Sequence, residues 1–327
     1  MDTFLQQLVN GLTAGSVYAV VALGYTMVYG IIQLINFAHG EVVMIGAMVA
    51  FTVINAVAPS GLPPLVVVLL GTGCAIPICI LVGYSMERLA YRPLRHAPRL
   101  APLITAIGVS IILQHLALMV WSRNVLAFPQ IIQTRSYSIL GASISNVQIA
   151  IIAICLALMA GLAVLVYRTR LGTAMRATAQ NAHVAGLMGI DINRVIAATF
   201  VIGAGLGAVA GVLYGSYYGI AQYTMGSVLG LKAFSAAVLG GIGNIPGAML
   251  GGILLGLVEA LGAGYIGDLT DLCTWYLISD AIDACEGGGH FILFGSNYQD
   301  VFAFMVLILV LVFRPSGLLG ERVGDRA

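Results

Sequence analysis

Asn36, His39 and Glu41 stand within six residues of one another in QLINFAHGEVVMIG (residues 33–46), between two long apolar runs. A charged side chain at the centre of a membrane costs about 2.5–3.5 kcal/mol on insertion scales, so at that depth these groups need partners or water. Two arrangements meet the requirement. In one, the stretch is a short loop at the membrane surface and all three side chains are hydrated. In the other, it is a discontinuous helix near the midplane, eased by Gly40, with unpaired backbone groups facing a translocation path. A metal centre would need more ligands than His39 and Glu41. Lys232, the sole lysine, lies in the apolar stretch LGLKAFSA and joins Asn36, His39 and Glu41 as a path candidate.

Catalytic signatures are missing. The chain has no H-E-x-x-H, G-x-S-x-G or C-x-x-C, and Cys74, Cys79, Cys155, Cys273 and Cys285 show no metal-ligand spacing. Gly205, Gly207 and Ala210 imitate a dinucleotide fingerprint, but they lie inside an apolar span and follow no strand. A phosphate-binding loop needs Gly-Lys-Ser/Thr, whereas Lys232 is flanked by Leu231 and Ala233. No cofactor or metal is expected on this chain, and ATP-driven transport would require a separate ATPase. A membrane enzyme lacks its constellation.

The elements that must position these residues follow from composition. With 60% hydrophobic and 8% charged residues and a mean hydropathy of +1.01, the chain is an integral membrane protein. Runs such as Leu12 to Ile32, Leu65 to Tyr84, Ala101 to Trp121, Val147 to Tyr167 and Val195 to Tyr214 approach or exceed the ~20 residues that cross a bilayer. Helices satisfy their own backbone there. The expected fold is all-α, a polytopic transmembrane bundle of about 8 to 10 segments, some broken or re-entrant, forming a single transmembrane domain over residues 1–327. MDTFLQQLVN lacks a basic region, so the first helix is expected to be retained. A net charge of +1 leaves no basic patch for nucleic acid; lipid is the natural surrounding.

Arginines fall in three clusters: Arg88, Arg92, Arg95 and Arg99; Arg168, Arg170, Arg176 and Arg194; and Arg314, Arg322 and Arg326. The positive-inside rule puts all three in the cytoplasm. Residues 259–300 hold seven acidic residues and no Arg or Lys, which places them outside with the loop 122–146. Parity then sets the N-terminus outside, a count that depends on whether the INFAHGE stretch is a true loop or a break inside a helix.

Glycine is the next signal, at 41 of 327 residues. Gly203, Gly207, Gly211 and Gly215 recur every fourth residue, and Ala248, Gly252, Gly256, Ala260 and Gly264 repeat the device. Residues four apart share a helix face, so each stripe admits another backbone closely. Residues 172–194, GTAMRATAQNAHVAGLMGIDINR, are too polar to span and read as a short helix along the cytoplasmic face. Arg176, Ala177, Ala182, Ala185, Leu187 and Met188 there suit insertion into a groove on a partner. The alternative is an amphipathic connector resting on headgroups.

Several stretches carry a family resemblance: QLVNGLTAGSVYAVVALGYTMVYGIIQLINFAHGEVVMIGA, ERLAYRPLR, RTRLGTAMRATAQNAHVAGLMGIDINRVIAATFVIGA, LKAFSAAVLGGIGNIPGAMLGG and RPSGLLG. Together they resemble the permease subunits of bacterial branched-chain amino acid ABC transporters, over nearly the whole chain; urea and amide importers share much of the pattern. The resemblance implies an inner-membrane importer for amino acids of the Leu, Ile and Val type. Its partners would be a sister permease, two ATP-binding subunits carrying ATP and Mg, and a periplasmic substrate-binding protein. It also implies that residues 168–194 carry the ATPase-coupling segment, with Ala185 and Gly189 matching the small positions of an A-x-x-x-G signature. His183 stands where many importer permeases carry Glu. A self-powered secondary transporter is the competing class, with Glu41 and Glu259 as its candidate carboxylates.

Residues 265–299 form an insertion longer than that family pattern, expected outside the membrane. There Cys273 and Cys285 would meet an oxidising compartment and could pair, for about 2–4 kcal/mol, or remain two free thiols.

Overall fold

The computed structural model describes residues 2–95, 97–98, 100–139, 141–270 and 298–320. Eleven α-helices run through them: α1 (Asp2–Ile32), α2 (His39–Val57), α3 (Pro64–Ser85), α4 (Leu100–Trp121), α5 (Asn146–Arg168), α6 (Arg170–Gln180), α7 (Ala182–Leu187), α8 (Ile192–Tyr218), α9 (Met225–Gly240), α10 (Ile245–Leu269) and α11 (Gln299–Phe313). A π-helical turn, Met86–Tyr91, continues α3. Four short strands pair in two antiparallel ribbons: β1 (Leu126–Ala127) with β4 (Ile220–Ala221), and β2 (Ser136–Ile139) with β3 (Ala142–Ser145).

Among the described residues, seven helices are long and apolar enough to cross a membrane, and α9 and α11 are shorter apolar helices. The protein is a multi-pass membrane protein. Local chemistry sets the helix starts. Ser145 and Gln148 form a reciprocal capping box at α5, Asp191 accepts from the Arg194 N–H at α8, and Asn244 accepts from the Gly247 N–H at α10. Gly219, at φ 70°, closes α8 in the left-handed conformation.

Two ends of the bundle are identified by contacts. Gln6 and Ser143 exchange hydrogen bonds of 2.8 and 3.1 Å, so the start of α1 lies at the same end as the β2–β3 hairpin. At the other end Arg95 donates to Asn193 at 2.5 Å, the Asn244 amide donates to the Leu319 carbonyl at 2.7 Å, and Arg176 lines a cavity of about 80 Å³ with Gly30 and Gly243. The Arg95, Arg176 and Arg314 regions thus share one face, which the arginine bias assigns to the cytoplasm.

α1 and α8 form the centre of the bundle, whereas α4 lies outermost and exposes Ile104, Ile112, Met119 and Val120. Helix α1 runs antiparallel to α10 with their backbones nearly touching. A Cβ added at Gly11 would stand 2.8 Å from Leu257 Cα, and one at Gly15 would stand 2.8 Å from the Ile253 carbonyl oxygen. Only glycine lets main chains approach this closely.

Candidate functional site

Helix α1 stops at Ile32, Gln33 takes φ 56°, and the chain is non-helical until α2 begins at His39. Asn36 and His39 are each 3% exposed and Glu41 is 0% exposed. The hydrated surface loop is therefore not the arrangement adopted. The physical reason lies in the return of residues 33–38: they carry the start of α2 back against α1, so that the His39 ring packs on Gly24, Gly203 and Gly207. Gly203 and Gly207 stand near the middle of the 27-residue α8, a helix roughly 40 Å long. The break is a discontinuity inside the bundle.

Each polar group of the break has a defined neighbour. Asn36 Oδ1 accepts from the Tyr91 hydroxyl at 2.7 Å. The imidazole of His39 meets the Tyr25 ring edge-on, with centroids 5.0 Å apart. Glu41 Oε1 accepts from Ser110 at 3.0 Å and from Gln114 at 2.7 Å, both on α4. Among the described residues, His39 Nε2 and Glu41 Oε2 have no hydrogen-bond partner. Gly226 and Gly230 of α9 lie directly against Gly40, leaving no room there for a side chain. Two buried, unsatisfied polar atoms at one helix break make an arrangement able to receive a polar solute or water.

Lys232 is placed elsewhere, in a cluster of its own. Its Nζ lies 2.8 Å from Glu259 Oε1 on α10 and 2.7 Å from Asp300 Oδ1 on α11. Tyr18 donates to Glu259 Oε1 at 3.3 Å, and the Lys232 ammonium stands 5.7 Å from the Tyr18 ring centroid. By sequence Lys232 groups with the break, while Glu259 counts as a candidate carboxylate of the competing transporter class and as the start of the acidic segment expected outside; it is instead buried within α10. The signal that identifies Asp300 as a partner is general: a lone lysine in an apolar helix needs anions, and few exist.

On the cytoplasmic face, residues 170–187 form two short helices instead of one. Asn181 divides them, because its side chain leaves α6 and caps α7 by accepting from the Val184 N–H at 3.1 Å. Ala182 and His183 are exposed, and Leu187 and Met188 are 75% and 79% exposed. Ala185, grouped with these on sequence, instead turns inward at 4% exposure. Its carbonyl accepts from the Ile190 N–H at 3.1 Å, which fixes the turn after α7. Gly189 takes φ +86° in that turn. Arg176 stands 5.5 Å from the Tyr167 ring centroid, held by its own chain.

The glycine stripe of α8 faces α2 and the outer loop. Gly203 and Gly207 border His39, Gly211 abuts the Val43 carbonyl, and a Cβ at Gly215 would stand 2.7 Å from the Phe128 ring. Gly205, out of phase with the stripe, has nothing among the described residues within 4 Å of its Cβ position. Cys273 and Cys285, with residues 271–297 of the 265–299 insertion, lie outside the described residues, whereas α10 continues to Leu269 and α11 begins at Gln299.

Comparison with known proteins places this architecture. Residues 7–311 match the model for the branched-chain amino acid transport system permease component. The high-affinity branched-chain amino acid transport system permease protein BraD of Pseudomonas aeruginosa is 48% identical over 323 residues, covering 97% of this chain and 96% of that protein. The corresponding permease protein LivH of Escherichia coli K12 is 43% identical over 327 residues, covering 97% and 96%. A probable branched-chain amino acid transport permease protein LivH of Methanocaldococcus jannaschii is 25% identical over 315 residues, covering 91% and 87%. No solved structure matches the chain.

Proposed function

This chain belongs to the branched-chain amino acid transport system permease family, and on that premise we propose that it translocates leucine, isoleucine and valine as one half of an ATP-driven importer. The observation that carries the reading is the match to permeases so named along almost the full length of both chains. The chain supplies the membrane path and no chemistry. Hydrolysis belongs to two separate ATP-binding subunits, substrate arrives from a periplasmic binding protein, and a sister permease completes the pore.

The geometry supports a mechanical division of labour. Leu187 and Met188 present an apolar knob on the cytoplasmic face, suited to a groove on an ATPase subunit. Helix α7 leads directly into α8, whose glycine stripe packs on α2, which begins with the helix break. Force applied at α7 is therefore passed through tightly packed main chains to His39 and Glu41. Interfaces of this density shift as rigid bodies and resist gradual deformation. In the shifted state the unsatisfied atoms of His39 and Glu41 face the passing substrate.

The test is reconstitution of this chain with its sister permease, ATP-binding subunits and binding protein in proteoliposomes. Leucine uptake should require internal or external ATP on the side of the ATPase and should not respond to an ion gradient alone. Excess urea should not compete. Uptake by this chain alone under an ion gradient would show a secondary transporter and remove the proposal.

A further inference from the structure

The Lys232 cluster is connected to the outer end of the bundle. A cavity of about 290 Å³ opens there, lined by Gln6, Gln130, Gln148, Ser145, Ser216 and Tyr217 among others, and among the described residues no charged side chain lines it. That volume is at the lower end of small-molecule sites, which span roughly 300–1,000 Å³. From its wall a polar track leads inward. The Tyr217 and Tyr218 rings are 4.8 Å apart, the Tyr218 and Tyr18 hydroxyls are 3.4 Å apart, and Tyr18 donates to Glu259, which pairs with Lys232. Glu259 is 5% exposed, and its Oε2 has no hydrogen-bond partner among the described residues.

We infer that this track ends in a binding station for a zwitterionic amino acid, in which Lys232 receives the α-carboxylate and Glu259 the α-ammonium. The inference rests on the proposed import of branched-chain amino acids and adds the place where their charged ends are held. A free amino acid carries one anion and one cation, and leaving either unpaired at membrane depth costs several kcal/mol. One lysine between two carboxylates solves this by exchange of partners. The incoming carboxylate takes the place of Glu259 on the Lys232 ammonium, and the freed Glu259 turns to the incoming ammonium. Asp300, whose side chain is 42% exposed, stays on Lys232 throughout. Each charge has an opposite charge beside it before and after, the cluster's net charge of one negative is unchanged by the zwitterion, and the uncompensated Oε2 of Glu259 supplies the extra acceptor that three ammonium protons need. The tyrosine rings of the track offer the branched side chain an apolar wall with wet edges. An amine lacking the carboxylate, or an acid lacking the amine, leaves one station charge without its counterpart.

The test uses photo-leucine, which keeps both charged ends and carries a diazirine on the side chain, added to the complete reconstituted transporter. Irradiation followed by peptide mass spectrometry should mark Tyr18 on α1 or the Tyr214–Tyr218 segment of α8, and excess leucine should remove the mark. Glu259→Gln leaves Lys232 paired with Asp300 and so should assemble, with labelling at the track reduced at least about tenfold, the ratio of a 1.4 kcal/mol loss. The triple variant Lys232→Met, Glu259→Gln, Asp300→Asn carries no charge to strand and should likewise assemble without labelling. Labelling of the binding protein in the same samples separates the two ideas. If the binding protein is marked but the track is not, or if either variant labels the track as the unaltered chain does, the station is refuted. If the binding protein itself takes no photo-leucine that leucine displaces, the assignment of substrate fails.

Discussion

Replacing Gly211 and Gly205 by alanine, one at a time, tests whether the α8 stripe is what holds the helix break. The two positions lie on the same helix and receive the same added methyl group. At Gly205 nothing among the described residues lies within 4 Å of the new Cβ, whereas at Gly211 it overlaps the Val43 carbonyl oxygen and stands 2.9 Å from the Ala47 nitrogen. Both obstacles at Gly211 are main-chain atoms, so no side-chain rotation relieves them and α2 must move away by on the order of 1 Å. Overpacking costs about 1–3 kcal/mol, against the gain of roughly 0.8–1 kcal/mol from replacing a helical glycine by alanine. The balance for Gly211→Ala is a loss of up to about 2 kcal/mol, while Gly205→Ala keeps its gain of up to ~1 kcal/mol. Opposite signs are therefore expected from one methyl group. Heating the purified complex and measuring the monodisperse fraction by fluorescence-detected gel filtration should rank Gly205→Ala at or above the unaltered chain and Gly211→Ala below it. Leucine uptake should fall in Gly211→Ala alone, because Val43 follows His39 by one helical turn. A Gly211→Ala complex as stable and active as the unaltered one would show that α8 and α2 are not in the packed arrangement described.

Two further outcomes follow from the site. Leu187→Glu should abolish substrate-stimulated ATP hydrolysis while leaving thermal stability of the isolated permease unchanged, since that side chain is 75% exposed; Ala185→Glu, at a position 4% exposed, should instead lower stability by about 3 kcal/mol or more through a buried unpaired charge. Normal ATPase stimulation in Leu187→Glu would remove α7 from the coupling face. Glu41→Gln keeps an acceptor oxygen for Ser110 and Gln114, so assembly should be retained; a fall in leucine uptake of about tenfold or more, equivalent to 1.4 kcal/mol, would assign the charge to the path, and unchanged uptake would make the carboxylate structural.

Much of this protein is legible in its residues because the information is local. Apolar runs of about 20 residues name their own solvent and their own secondary structure. The arginine clusters at Arg95, Arg176 and Arg314 sort the ends of the helices, and their regions do share one end of the bundle. A glycine every fourth residue announces a smooth face whatever it packs against. The unusual content of residues 33–46 was also visible, since polar residues between apolar spans stand out by composition alone.

What packs against each face was decided only by the tertiary structure. Whether Asn36, His39 and Glu41 sit in water or in the bundle depends on how residues 33–38 return against α1 and α8, which no local pattern encodes. Ala185 looked like part of a docking face by residue type, yet its burial at 4% follows from where the turn at Gly189 sends the chain. Lys232 carried a visible need for anions, but Glu259 and Asp300 lie 27 and 68 positions further along the sequence. Burial of a charge is a demand that the sequence states; the partner that meets it is chosen by the packing of α9, α10 and α11, because a Coulomb pair in a low-dielectric interior acts over ångströms and takes no account of separation along the chain.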